Sequence, residues 1–116
     1  MTTDRNESRV MCRRITCVIG AVILTAATLQ GDQHTIVQKD RTFSAATLTV
    51  KVGDSVVFKN DDNITHNVYS NSRGLEFNTK AQAPGSSNEV VMKTEGTAEV
   101  FCAFHPRMKL TITVTK

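Results

Sequence analysis

The chain has 116 residues, 5% of them aromatic with no Trp, and a formal net charge of +3. That length allows one domain with a modest core of Val, Leu, Ile and Phe. From residue 28 onward ten Lys and Arg stand against nine Asp and Glu, spread along the chain, which excludes a nucleic-acid-binding patch.

In chain order, the first element is a leader. Arg5, Arg9, Arg13 and Arg14 precede an apolar run, "ITCVIGAVILTAATL" from Ile15 to Leu29, which is shorter than the roughly 20 residues a spanning helix needs. Small residues at its end, Thr25 and Ala27, predict a secretory signal over residues 1–27, with the boundary falling as late as about 32. The Arg13–Arg14 pair matches part of a twin-arginine signal, but the Phe-Leu that usually follows is missing. Neither Cys12 nor Cys17 sits where a lipoprotein cysteine would. The predicted product is a periplasmic or otherwise exported domain, residues 33–116, with no stable membrane insertion.

Export also changes the cysteine count. Cys12 and Cys17 leave with the leader, so the exported domain holds Cys102 alone, in a compartment where structural cysteines come in pairs. A lone thiol there is an apolar filler, a reactive nucleophile or a metal ligand.

The remaining chain reads as strands. In "ATLTVKVGDSVVFKN" residues Leu48, Val50 and Val52 alternate inward against Thr47, Thr49 and Lys51; the chain turns at Gly53–Asp54 and resumes with Val56 and Phe58, predicting a two-stranded unit with one wet face. Weaker strand signals lie at Thr35–Val37 and Val68–Tyr69. "AQAPGSSN" is a loop by its Pro84–Gly85. "NEVVMKT", "GTAEVFCAF" and "KLTITVTK" give three further strands, the last alternating Leu110, Ile112 and Val114. Short strands separated by turn signals, with no sustained helical period, predict an all-β sandwich of two small sheets.

Within that sandwich "FCAFHPRM", residues 101–108, ends one strand, makes a tight loop and starts the next. Cys102, His105 and Met108 therefore project from one turn at one end of the domain. His34 lies in polar sequence near the exported N-terminus and is read as a surface histidine. His66, in "DDNITHNVYS", follows a polar loop that can reach the same end. His66, Cys102, His105 and Met108 then form a set of two imidazoles, a thiolate and a thioether. Thiolate and thioether favour copper(I), imidazole suits both oxidation states, and a trigonal His2Cys plane with a weak axial Met compromises between the two geometries. Copper coordination also explains the lone cysteine, because it deprotonates the thiol and protects it.

"THNV", followed about thirty-five residues later by "FCAFHPRM", resembles the cupredoxins, the small blue-copper proteins, and the C-x-x-H-x-x-M spacing is similar to that of their amicyanin-like and plastocyanin-like members. The resemblance runs from about Ala46 to Lys116 and includes "VGDSVVFKNDD" and "APGSS". It implies a Greek-key β-sandwich, one type 1 copper ion held by His66, Cys102, His105 and Met108, and a monomeric one-electron carrier with transient redox partner proteins. It further implies that Asn67 hydrogen-bonds the thiolate and the ligand loop. Arg107 departs from the aromatic residue of amicyanin at that place, and Pro106 and Arg107 are the expected docking residues, on a rim shared with Ala83 and Pro84. The alternative with the same ligands is a periplasmic copper storage or delivery protein. An enzyme is disfavoured, because a Cys102–His105 nucleophile pair would lack an orienting third residue and leave Met108 without a role.

Overall fold

The computed structural model describes residues 31–116 and Gly20. The predicted leader lies outside the described residues, except for Gly20 and the last positions of its uncertain boundary. Among the described residues no helix is long and apolar enough to cross a membrane.

Nine strands follow one another: β1 (Gln33–Lys39), β2 (Thr42–Phe43), β3 (Thr47–Lys51), β4 (Ser55–Asn60), β5 (Tyr69–Ser70), β6 (Phe77–Asn78), β7 (Ser87–Val91), β8 (Gly96–Phe101) and β9 (Lys109–Thr115). They form a four-stranded sheet in the order β2-β1-β4-β7 and a five-stranded sheet in the order β3-β9-β8-β5-β6. Both sheets are mixed, since β1 runs parallel to β4 and β3 parallel to β9 while the other pairs are antiparallel. The chain thus adopts the all-β, two-sheet sandwich expected from its short alternating strands.

Alternation puts one face of each sheet inside. Ile36, Val56 and Phe58 come from the first sheet, and Val50, Ala98, Val100, Leu110, Ile112 and Val114 from the second; all are buried. Phe58 and Phe77 stack across the gap with ring centroids 5.6 Å apart, which joins β4 of one sheet to β6 of the other. Each fully buried large apolar side chain contributes roughly 1.5–3 kcal/mol.

The expectation for residues 46–60 needs correction. β3 and β4 do not form a two-stranded unit: β3 pairs with β9 and β4 with β1 and β7, in different sheets. The Gly53–Asp54 turn is a corner between layers. Gly53 takes φ +95°, a conformation glycine reaches without steric cost, and donates its N–H to Met92 O at 2.8 Å, while Met92 N donates to Asp54 O at 2.8 Å. The bend turns Val52 outward, 42% exposed, where simple alternation predicted it inward.

The inward rows continue past the strand ends. Along β8 the buried positions are Ala98 and Val100, and the next step is Cys102; along β9 they are Leu110, Ile112 and Val114, and the step before is Met108. Ser70 and Val68, both buried, lead back to His66 in the same way. Three neighbouring strands therefore deliver a sulfur or nitrogen donor at the same end of the core.

Candidate metal centre

The loop from Phe101 to Met108 consists of two successive turns. His105 N donates to Cys102 O at 3.4 Å, and Met108 N to His105 O at 3.0 Å. Each turn advances the chain by three residues, so the spacing C-x-x-H-x-x-M returns a donor to one side of the loop every time. Pro106 follows His105 at the first corner of the second turn, where its fixed φ is suited.

His66 arrives by a different route. Asn60, fully buried at the end of β4, accepts the Asp62 N–H at 2.9 Å and donates to Ile64 O and Gln82 O, each at 2.9 Å. Asn60 thereby shapes the loop that ends at His66. His66 forms an isolated antiparallel bridge with Gln82 rather than sitting in a longer strand. Gln82 is itself anchored, donating to Phe58 O at 2.9 Å and Asn88 Oδ1 at 2.8 Å and accepting from Gln38 Nε2 at 2.7 Å. The bridge therefore ties His66 to the first sheet.

These two routes converge. Cys102 Sγ lies 3.8 Å from His66 Nδ1 and 3.7 Å from His105 Nδ1, and the three donor atoms all lie within 4.8 Å of one another. His66 and Cys102 are buried and His105 is half-buried. The imidazoles of His66 and His105 meet edge to face, with centroids 4.9 Å apart. Met108, 1% exposed, is buried beside them at the head of β9.

The far side of His66 is also fixed. Its Nε2 lies 2.7 Å from Asp62 Oδ2, and both side chains are buried. The Arg41 backbone N–H and then the His66 imidazole, both hydrogen-bonded to the carboxylate, lower the pKa of Asp62 to about 2. Burial, and then the nearby His66 and Arg41, hold the His105 imidazole below the usual histidine range, which favours the neutral ring that a metal requires.

Asn67 acts on the loop. Its Nδ2 donates to Asn78 Oδ1 at 2.8 Å and Lys80 O at 3.2 Å, while its Oδ1 accepts the Ala103 N–H at 3.2 Å. Asn67 thereby holds the residue that follows Cys102, and with it the loop that carries the thiol. At the surface, Pro106, Arg107, Ala83 and Pro84 are exposed. Sequence reasoning missed Phe104, which is 55% exposed on the same loop, and it missed Asp62 and Asn60. Asp62 carried one available signal, its position four residues before His66. His34 takes no part, pairing instead with Asp54 at 2.9 Å, at the opposite end of the first sheet by the β1–β4 register.

The donor set suits a metal ion. Bond lengths near 2.3 Å to thiolate and 2.0 Å to imidazole, set in one plane at trigonal angles, place sulfur and nitrogen about 3.7 Å apart. The observed 3.7 and 3.8 Å meet that requirement.

Residues 14–114 match the family described as a cupredoxin-like domain. The chain belongs to the cupredoxin-like family. The match begins inside the predicted leader. No curated protein sequence matches the chain. A purple cupredoxin from Nitrosopumilus maritimus is 28% identical over 71% of this chain and 99% of that one, with a TM-score of 0.63. A reduced amicyanin variant is 26% identical, covering 71% of this chain and 81% of that one at a TM-score of 0.64. A copper-containing nitrite reductase from Thermus scotoductus SA-01 shares the fold at 24% identity and a TM-score of 0.69, over 82% of this chain but 25% of that enzyme. The cupredoxin family and the cluster of His66, Cys102, His105 and Met108 fit a single type 1 copper site.

Proposed function

We propose that this cupredoxin is an exported, monomeric one-electron carrier, in which His66 Nδ1, Cys102 Sγ and His105 Nδ1 would hold the copper ion together with Met108, the weakest donor of the four. Copper, when bound, supplies a centre that cycles between Cu(II) and Cu(I). The chain's contribution is a close-set group of donors: His66 and Cys102 are buried, His105 is half-buried, and the Cys102 sulfur lies 3.8 and 3.7 Å from the two imidazole nitrogens. Donors held from three neighbouring strands leave little room for ligand movement during electron exchange, and that spacing is the observation that carries the proposal.

Residues 1–27 would direct export to the periplasm, and residues 33–116 would be the copper domain. His105, half-buried between Phe104 and Pro106, is the ligand nearest solvent, so redox partner proteins would dock around it. Exposed Phe104, Pro106, Ala83 and Pro84 offer a small apolar area and Arg107 one positive charge, the combination that small transient interfaces use. A carrier accounts for a single closed four-residue site better than an enzyme does, and this chain spans only a quarter of the nitrite reductase it resembles.

Cyclic voltammetry of the copper-loaded protein tests this reading against metal delivery. A reversible one-electron wave that persists over many cycles with one copper retained is expected. Release of copper on reduction would contradict the carrier and favour delivery.

A further inference from the structure

Asp62 touches both His66 and a turn more than twenty residues away in sequence. Its Oδ1 accepts the Asp40 N–H at 3.0 Å, and its Oδ2 accepts the Arg41 N–H at 2.9 Å together with the His66 Nε2 contact at 2.7 Å. Asp40 and Arg41 form the two-residue connection between β1 and β2, with φ of +53° and +57°. Such turns favour Asn-Gly, Asp-Gly or Gly-Gly, so Asp40 suits its place, while Arg41 stands where Gly is usual and the left-handed conformation is unfavourable. The two amides exposed by that conformation both point to one carboxylate. The segment carrying Asp62 is clamped as well: Asp61 N donates to Gln38 O at 2.9 Å, Lys39 Nζ to Asp61 O at 3.2 Å, and Asp62 N to Asn60 Oδ1 at 2.9 Å.

The orientation of His66 follows from this. A carboxylate only accepts hydrogen bonds, so a ring nitrogen 2.7 Å from it carries a proton, and in the neutral ring that a metal requires the other nitrogen then keeps its lone pair. In His66 that other nitrogen is Nδ1, the one facing Cys102. His105 has no comparable partner: among the described residues the polar contact of its ring is to the Cys102 sulfur.

We infer that Asp62, held by the Asp40–Arg41 turn, is a positioning residue that fixes the His66 tautomer and presents Nδ1 to the metal position in advance. The inference rests on the reading of His66 as a copper ligand. Its deciding test, the His66 tautomer, uses the metal-free protein, in which that reading plays no part. In the 15N-labelled chain at neutral pH, long-range proton–nitrogen correlation spectra should show His66 protonated at Nε2. In Asp62→Asn, whose amide can accept or donate, the tautomers should mix, hydrogen exchange of the Asp40 and Arg41 amides should quicken, and copper affinity should fall by roughly 10–100-fold, as loss of a ligand's outer partner typically does. A wild-type His66 protonated at Nδ1 overturns the inference whether or not the variant folds, as does an Asp62→Asn protein with the wild-type tautomer and affinity. A copper-loaded protein that is colourless, combined with Nε2-protonated His66, would count against the carrier and leave the role of Asp62 standing.

Discussion

The side chain of Asn67 accepts the backbone N–H of Ala103 at 3.2 Å while donating to Asn78 and Lys80. One amide thus ties the strand segment beyond His66 to the loop that carries Cys102 and to the edge strand β6. Asn67 is 5% exposed, and its removal forfeits three part-buried hydrogen bonds, each worth about 0.5–1.5 kcal/mol. Asn67→Ala should destabilise the metal-free protein by about 1–3 kcal/mol and speed copper loss by loosening the ligand loop. Denaturant unfolding and the rate of copper transfer to a chelator check both effects.

Met108 heads the inward row of β9 and is 1% exposed, so it belongs to the core whatever it contributes to the metal. Leu nearly conserves its volume, and Met108→Leu should cost less than about 1.5 kcal/mol. If Met108 is a weak axial donor, the variant keeps copper and colour while its reduction potential rises, because losing a donor destabilises Cu(II) more than Cu(I). Loss of copper binding would instead make Met108 a primary ligand of a different kind of site.

At the exposed rim, stability and function should separate. Phe104 and Arg107 project into solvent, and their substitution should shift stability by no more than about 0.5 kcal/mol. Arg107→Glu should slow association with an acidic partner, most at low salt where screening is weakest, and Phe104→Ala should weaken docking independently of salt. Stopped-flow kinetics against a series of salt concentrations distinguishes the two, with the visible spectrum unchanged in both variants.

The Gly53–Asp54 corner makes stability depend on acid. Asp54 accepts the Lys51 N–H at 2.9 Å and the Asp32 N–H at 2.8 Å and pairs with His34. The Lys51 amide first, and then His34, hold its carboxyl below the ordinary value of 3.8. A carboxyl lowered in the folded state binds protons less readily there than in the unfolded chain, so its contribution is present above 3.8 and is lost as pH falls below that value. Asp54→Asn should therefore be less stable than wild type at about pH 6, and the difference should narrow toward about pH 3. Urea unfolding of the metal-free proteins at the two pH values measures it.

What was legible in the sequence was local. Alternation marked the long strands, and the donors at Cys102, His105 and Met108 could be read because two tight turns keep that spacing on one side. β2 and β6, two residues each, are too short to show any period. The layer change at Gly53–Asp54 looks in sequence like a hairpin turn, and only the pairing of β3 with β9 and of β4 with β1 separates the two. Asp62 escaped notice because its partners Asp40 and Arg41 lie more than twenty residues upstream. Phe104 could not be ranked as exposed until the loop fold fixed which of its side chains turn inward.

The central claim, a copper ion bound by the Cys102 thiolate in a His2Cys plane, is tested most directly by the visible spectrum of the copper-loaded protein before and after ascorbate, alongside Cys102→Ser. The wild type should be intensely coloured by sulfur-to-copper charge transfer, bleach on reduction and recover on reoxidation, while Cys102→Ser remains folded and lacks the band. A copper-loaded wild type without that band, or a Cys102→Ser protein that retains it, would contradict the assignment.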